Sequence, residues 1–397
     1  MTGLIVANGR VVDPAALLDT LCDLRFRDGR IAEIGTALRP DGGERVIDAR
    51  GCVVAPGFID MHVHLREPGF LAKETIATGT EAAVRGGFTA VACMPNTLPA
   101  LDDPKVLRDL EVSAARDGRC RVYPIAAITR ERKGTELCDY AALVQAGAVA
   151  FSDDGDTVRD GRLMRQAAEL TRTLRAPMIA HSEPEDGIVA RDLEIAAETK
   201  KAWHVAHVST RVALDLIRAA RIAGTTVTCE ATPHHLTFTQ EIAAELGPAA
   251  RVNPPLRTAD DVAALREAVY DGTIDAFASD HAPHTESEKR DGLAPGFSGL
   301  EVAVGAYAAA LPELPLPRFI ELLSTNPARI LDLPGGTLAV GAPADVTIFA
   351  DREWTVDATT FASKGKCTPF AGRLLPRRVV ATIVGGELRY GALEFAT

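Results

Sequence analysis

Between residues 57 and 280 the chain alternates short apolar runs with amphipathic stretches, and that alternation restricts the folds open to it. Strand-like runs fall at 57–63, 89–94, 121–128, 148–152, 178–181, 203–208, 225–230 and 274–280. Each is short enough for a buried strand and bounded by turn formers. Helical periodicity fills most of the gaps, as at 71–86, 161–174, 186–201, 210–223 and 259–270. Eight strands alternating with helices predict an α/β fold, a (β/α)8 barrel of TIM type. An open doubly wound sheet is the competing arrangement, but no GxGxxG follows a strand to support it. Helical segments at 300–310, 317–323 and 326–331 lead the chain out of this middle region.

Both ends have a different pattern. Runs at 3–10, 23–27 and 30–35, and again at 344–350, 378–383 and 387–390, are rich in β-formers and separated by Asn8-Gly9, Asp28-Gly29 and Gly385-Gly386. Such dipeptides favour hairpin turns. The expectation is one small β-sandwich domain built from both termini, with boundaries at 1–54 and 335–397 around a barrel at 55–334.

Composition removes several classes of function. The 397 residues are 47% hydrophobic and 24% charged, which suits a globular protein with a large core. A net charge of −11 argues against nucleic-acid binding, which needs a clustered positive field. The most apolar stretch, 302–311, is too short to span a bilayer, and the opening residues do not read as a signal peptide. Seven cysteines without a CxxC pair predict reduced, buried thiols, a cytoplasmic location and no structural zinc knuckle.

The nine histidines locate the chemistry. His62 and His64 end the first predicted strand, His181 the fifth and His207 the sixth; His234 and His235 follow the seventh, and His281 and His284 the eighth. Only His204 lies inside a strand, where it reads as packing. Catalytic groups of such barrels sit at the C-terminal strand ends. In His62-Val63-His64 both imidazoles face the same side and supply half of a transition-metal site. With His181, His207 and the strand-end acids Asp153 and Asp280, the set predicts two cations. His62 and His64 would hold one, His181 and His207 the other, with Asp153 bridging, although Asp153-Asp154-Gly155 also reads as a plain turn. Asp280 is placed to bind metal and to carry a proton.

These residues also carry a resemblance. Gly57-Phe-Ile-Asp-Met-His-Val-His-Leu-Arg-Glu-Pro-Gly69 resembles the opening signature of the cyclic amidohydrolases, and of the dihydroorotase family in particular. Met94-Pro-Asn-Thr97, Val252-Asn-Pro-Pro-Leu-Arg257 and Ser279-Asp-His-Ala-Pro-His284 are similar to further motifs of that family, as is the tail from Phe361 through Val384-Gly-Gly386. The likeness is to the long bacterial class, whose members often place an aspartate where relatives carry a carboxylated lysine.

The resemblance implies Zn2+, one or two ions per subunit, ligated by His62, His64, Asp153, His181, His207 and Asp280. It implies substrate contacts from His64, Arg66, Asn96, Asn253 and His284 and from backbone groups at Gly296 and Phe297. The implied reaction is reversible closure of N-carbamoyl-L-aspartate to L-dihydroorotate in pyrimidine (UMP) synthesis, with hydroxide generated on the metals as nucleophile and Asp280 as proton shuttle. Implied partners are aspartate transcarbamoylase and further copies of the chain. Asn96 and Asn253-Pro254 are also ordinary turn elements. Two other readings compete: a non-catalytic scaffold for aspartate transcarbamoylase, and a hydantoinase or allantoinase relative. A full set of candidate ligands argues against the first; Arg66 and the Asp280–His284 motif argue against the second.

Two places depart from the family pattern. His207 follows His181 by only 26 residues, where family members place a longer connection. His234, 53 residues after His181, is therefore an alternative ligand, but the context Ala206-His-Val-Ser-Thr210 selects His207. The stretch 294–301 lacks the usual Pro-Phe-Gly, which leaves the register of Gly296 and Phe297 open.

Overall fold

A computed structural model describes residues 3–292 and 294–391, so the outer ends of the expected terminal segments, 1–2 and 392–397, lie outside the described residues. Eight parallel strands lie side by side in chain order: Phe58–Val63, Phe88–Cys93, Arg121–Ala126, Ala150–Phe151, Met178–Ala180, Trp203–Val205, Val227–Ala231 and Ala276–Phe277. Every expected run overlaps one of them. The first and eighth strands meet through a bridge between Val63 and His281, where His64 N–H donates to the His281 carbonyl at 2.8 Å. Below that point the Asp60 carboxylate completes the seam, accepting the Ser279 N–H at 3.1 and 3.2 Å.

The strand side chains divide between two faces. Met61, Ala92, Ile125, Ala150, Ile179 and Ala276 form the packed barrel interior, while Phe58, Val63 and Phe151 face the surrounding helices. Those helices are amphipathic and capped. In Arg211–Ile222 the Thr210 side chain accepts from Ala213 N–H, and Ala213, Leu214 and Ile217 form the buried stripe. Burying one such leucine contributes about 1.5–3 kcal/mol. Leu214→Ala would cost about 2–5 kcal/mol because the packed surroundings close only in part. The helix expected over 71–86 starts only at Ile76, where Thr75 and Thr78 form a reciprocal cap.

Strands from both termini join one eight-stranded sheet. Val346–Ala350 runs antiparallel to Cys52–Pro56 and ties the C-terminal part to the N-terminal part. Ile47, Val54, Ile348 and Ile383 fill its core. Asp28 and Gly29, with φ of 50° and 73°, make the expected hairpin turn. Asn8-Gly9 does not. It lies within the strand Leu4–Asp13 as a bulge, with Asn8 at φ 64°, and a Cβ on Gly9 would stand 2.4 Å from Val54 Cγ2. A glycine is needed there for close packing, not for reversal. Among the described residues no helix is long and apolar enough to cross a membrane.

Candidate metal centre and its cavity

The C-terminal ends of the strands bring six buried side chains together: His62, His64, Asp154, His181, His207 and Asp280. His62 and His64 leave the first strand on one side, with ring centroids 5.5 Å apart. Their Nε2 atoms stand 3.6 and 3.2 Å from Asp280 Oδ1. His181 Nδ1 and His207 Nε2, from the fifth and sixth strand ends, are 2.9 Å apart. The Asp154 carboxylate lies between the two groups. Its Oδ1 is 3.2 Å from His62 Nε2, 3.3 Å from His181 Nδ1 and 3.5 Å from His207 Nε2, while Oδ2 is 3.5 Å from His64 Nε2.

Asp153, the expected bridge, is turned away. Its Oδ1 accepts from the backbone N–H of Ile128 and Thr129 at 2.8 and 3.0 Å, and Oδ2 accepts from the Thr129 hydroxyl. Ala150 faces the barrel interior and Phe151 the helices, and in the loop that follows Asp153 is held against Ile128 and Thr129 while Asp154 lies over the barrel mouth.

The donor set fits divalent cations. His62 Nε2 and Asp154 Oδ1 are buried without a hydrogen-bond partner, and they face each other without hydrogen-bond alignment. Orphaned lone-pair atoms converging on one point are what ligands present. His62, His64 and Asp280 form one group of three with ligand atoms within 4.8 Å of one another, and His62, Asp154 and His207 form a second. Imidazole with carboxylate oxygen is the ligand chemistry of zinc and its neighbours.

The electrostatics are compatible with this. Burial works against charge on Asp154, yet the charge of His62 and the adjoining imidazoles of His181 and His207 hold it well below the usual carboxylate range. Asp280 is likewise held low against its burial, by His64 first and then by the charges of His62, His64 and His207. Both are carboxylates at neutral pH. Glu230, on the seventh strand, went unread in the sequence. Its Oε1 is 2.6 Å from His62 Nδ1 and its Oε2 3.1 Å from His204 Nε2, so His204 belongs to the support of the centre and not merely to packing. A lone glutamate in an otherwise apolar strand was the available signal.

One cavity opens over the cluster. His64, Arg66, Asn96, Asn253, His284 and Gly296 line it together with Asp154, His181, His207 and Asp280. Arg66 is 8% exposed; its Nε donates to the Pro283 carbonyl at 3.3 Å, and Nη2 stands 3.3 Å from His284 Nε2. Burial brings the Arg66 guanidinium down only to about 10, so it is charged at neutral pH. Burial and the adjacent Arg66 push the His284 imidazole down to about 4, so it is neutral. Asn96 Oδ1 is 2.8 Å from His64 Nδ1, and the Asn253 amide is 3.1 Å from His181 Nε2. Gly296 contributes wall, but its N–H donates to the Arg251 carbonyl and its own carbonyl accepts from Lys289. Phe297 does not reach the cavity. Its ring packs on His234 and Phe370, and its carbonyl accepts from Ala282 N–H. His234 and His235 are buried and lowered by that burial. His235 donates to the Pro254 carbonyl beside Asn253, and neither joins the ligand groups.

Three residues of this site have backbone angles that L side chains rarely adopt: Arg66, His207 and Asp280, at φ 60°, 31° and 49°. Such conformations concentrate where surrounding structure holds functional side chains in place.

The profile of the Amidohydrolase family matches residues 53–389. A dihydroorotase from Pelotomaculum thermopropionicum is 47% identical over 420 aligned positions, covering 97% of this chain and 98% of its own. One from Syntrophotalea carbinolica is 43% identical, covering 98% and 99%. Among solved structures, L-hydantoinase from Arthrobacter aurescens superposes with a TM-score of 0.90 at 24% identity, over 100% of this chain and 98% of that one. A D-hydantoinase superposes at 0.89 with 23% identity. At that identity the two structures establish a shared fold.

Proposed function

Because the chain belongs to the amidohydrolase family and, within it, to the dihydroorotases, hydrolases of cyclic amides, we propose that it interconverts L-dihydroorotate and N-carbamoyl-L-aspartate with zinc in the cluster, as a cytoplasmic step of pyrimidine synthesis. One observation carries the reading: a buried guanidinium and five of the six cluster residues, His64, Asp154, His181, His207 and Asp280, line the same cavity. A substrate with a carboxylate on one side of its ring and a cleavable amide on the other spans such a pair.

In this reading His62, His64 and Asp280 would hold one ion and His181 and His207 a second, with the Asp154 carboxylate lying between the two groups of side chains. A bound divalent cation supplies Lewis acidity, lowering the pKa of a water and polarising a carbonyl. The rest is work for the chain's own groups. Arg66 offers its Nη atoms to the substrate carboxylate in a planar fork, because its Nε is already engaged with Pro283. Neutral His284 and the amides of Asn96 and Asn253 complete the polar wall and fix the ring plane. Asp280 is ionised and faces the cluster, so it accepts the proton of the attacking water and delivers it to the ring nitrogen as the C–N bond breaks. Ring closure runs the same transfers in reverse.

The test is elemental analysis of the purified chain beside its ring opening of L-dihydroorotate. Zinc, turnover, and a loss of at least about 10²-fold in kcat for Asp280→Ala are expected. Zinc without turnover on dihydroorotate would overturn the substrate assignment, and no metal at all would overturn the mechanism.

A further inference from the structure

We propose that Glu185 is a positioning residue that locks the loops bearing His181, His207 and Asn253 into a single register. Only Ser182, Glu183 and Pro184 separate His181 from the helix Glu185–Thr199, so Glu185 opens that helix directly beside the cluster. The side chain is 4% exposed, and it spends its oxygens on other loops. Oε1 accepts the backbone N–H of Ser209 at 2.8 Å and of Thr210 at 3.0 Å, and Oε2 accepts the Ser209 hydroxyl. Arg257 approaches from a third loop, with Nη2 3.5 Å from Glu185 Oε2 and Nε donating to Ser209 Oγ at 3.0 Å. That third loop carries Asn253, whose amide meets His181 Nε2.

His207 is the reason such a clasp matters. Its φ of 31° is unfavourable for an L residue and persists only if the flanking backbone is tied down. On its C-terminal side the next three N–H groups are all held, Val208 by the Glu230 carbonyl and Ser209 and Thr210 by Glu185. Two of the three restraints thus come from one carboxylate anchored four residues after His181. The 2.9 Å meeting of His181 Nδ1 with His207 Nε2 is set from both sides by the same group. A favourable charge at a helix N-terminus would account for Glu185 opening its helix, but not for its oxygens being spent on two other loops.

The inference rests on the metal-dependent reading above. Its test is zinc affinity by chelator competition, measured on the full chain with kcat/KM and the melting temperature of the metal-free form. Glu185→Ala is expected to weaken zinc binding about tenfold or more, the scale of outer partners of metal ligands, with kcat falling in parallel. Glu185→Gln keeps one oxygen for the two N–H donors and is expected to recover most of that loss. A Glu185→Ala protein that melts earlier but binds zinc within twofold of the unsubstituted chain would overturn the proposal. Should Glu185→Ala not fold, Ser209→Ala removes one donor more gently; a several-fold loss of zinc affinity is expected, and an unchanged value overturns the claim. If the unsubstituted chain binds no zinc, the metal-dependent reading and this inference fall together. If it binds zinc and the variants match it, only the role of Glu185 falls.

Discussion

His62 Nδ1 stands 2.6 Å from Glu230 Oε1, on the side of the ring away from Asp154. A carboxylate in that position accepts a hydrogen bond from Nδ1–H and turns Nε2 toward the cluster, where its lone pair would ligate a cation. Burial opposes charge on the His62 imidazole, yet Asp154 and Glu230 together hold it well above its ordinary range. Glu230→Gln keeps the shape and removes the charge. It is expected to weaken metal binding by about 10- to 100-fold with unchanged circular dichroism, read by chelator competition. Equal affinity in the two proteins would remove Glu230 from the site.

Asp153 and Asp154 are adjacent, so one pair of variants separates bridge from brace. Asp154→Asn removes the carboxylate between the two histidine groups and is expected to lower both metal content and kcat, the latter by at least about 10²-fold. Asp153→Asn disturbs the loop at Ile128 and Thr129 instead. It is expected to keep full metal content and cost about 1–3 kcal/mol of stability. Elemental analysis with thermal unfolding reads both, and the reverse pattern would return the bridge to Asp153.

The division between those two residues also marks what the sequence can carry. Strand order, strand ends and the paired faces of His62 and His64 follow from periodicity, and all eight barrel strands lie where their apolar runs fall. Asp153 was misassigned because the fourth strand is only Ala150–Phe151, too short to display its alternation without the structure of its neighbours. The partners of Glu230 and Glu185 are illegible for a different reason. Those partners, His62 and Ser209, lie 168 and 24 residues away, and no local pattern encodes a contact made through barrel closure. Asn8-Gly9 has turn composition but serves a bulge, because Val54 packs where a Cβ would be.

In the proposed reaction Arg66 selects the rings that are accepted. Its Nε donates to the Pro283 carbonyl, Nη2 stands beside His284, and the side chain lines the cavity. Arg66→Met is expected to raise KM for L-dihydroorotate by about 10²-fold, the scale of a buried charge-assisted pair, with metal content unchanged. Arg66→Lys restores the charge without the fork and is expected to recover little of it. A hydantoin or dihydropyrimidine ring lacking the carboxylate should be indifferent to the change. Steady-state kinetics on both substrates would expose a wrong assignment, which predicts equal losses.

Glu301 sets a pH dependence outside the metal centre. Burial pushes its carboxyl up to about 7, even though its Oε1 accepts from Ala362 and Ser363 N–H at 2.7 and 3.3 Å. The unfolded chain titrates the same group near its ordinary 4.5. Between those values the folded protein holds a proton that the unfolded chain has released, so stability from this group is full below 4.5 and is lost as the pH rises toward 7. Glu301→Gln keeps the accepting oxygen and removes the titration. It should match the unsubstituted protein near pH 4.5 and exceed it at pH 8. A shift of this size corresponds to about 3 kcal/mol, reduced to about 1–2 kcal/mol because the side chain keeps some solvent contact. Pairwise unfolding at the two pH values cancels the acid release of metal common to both proteins. A stability difference that is constant with pH would show that Glu301 titrates alike in the folded and unfolded chain.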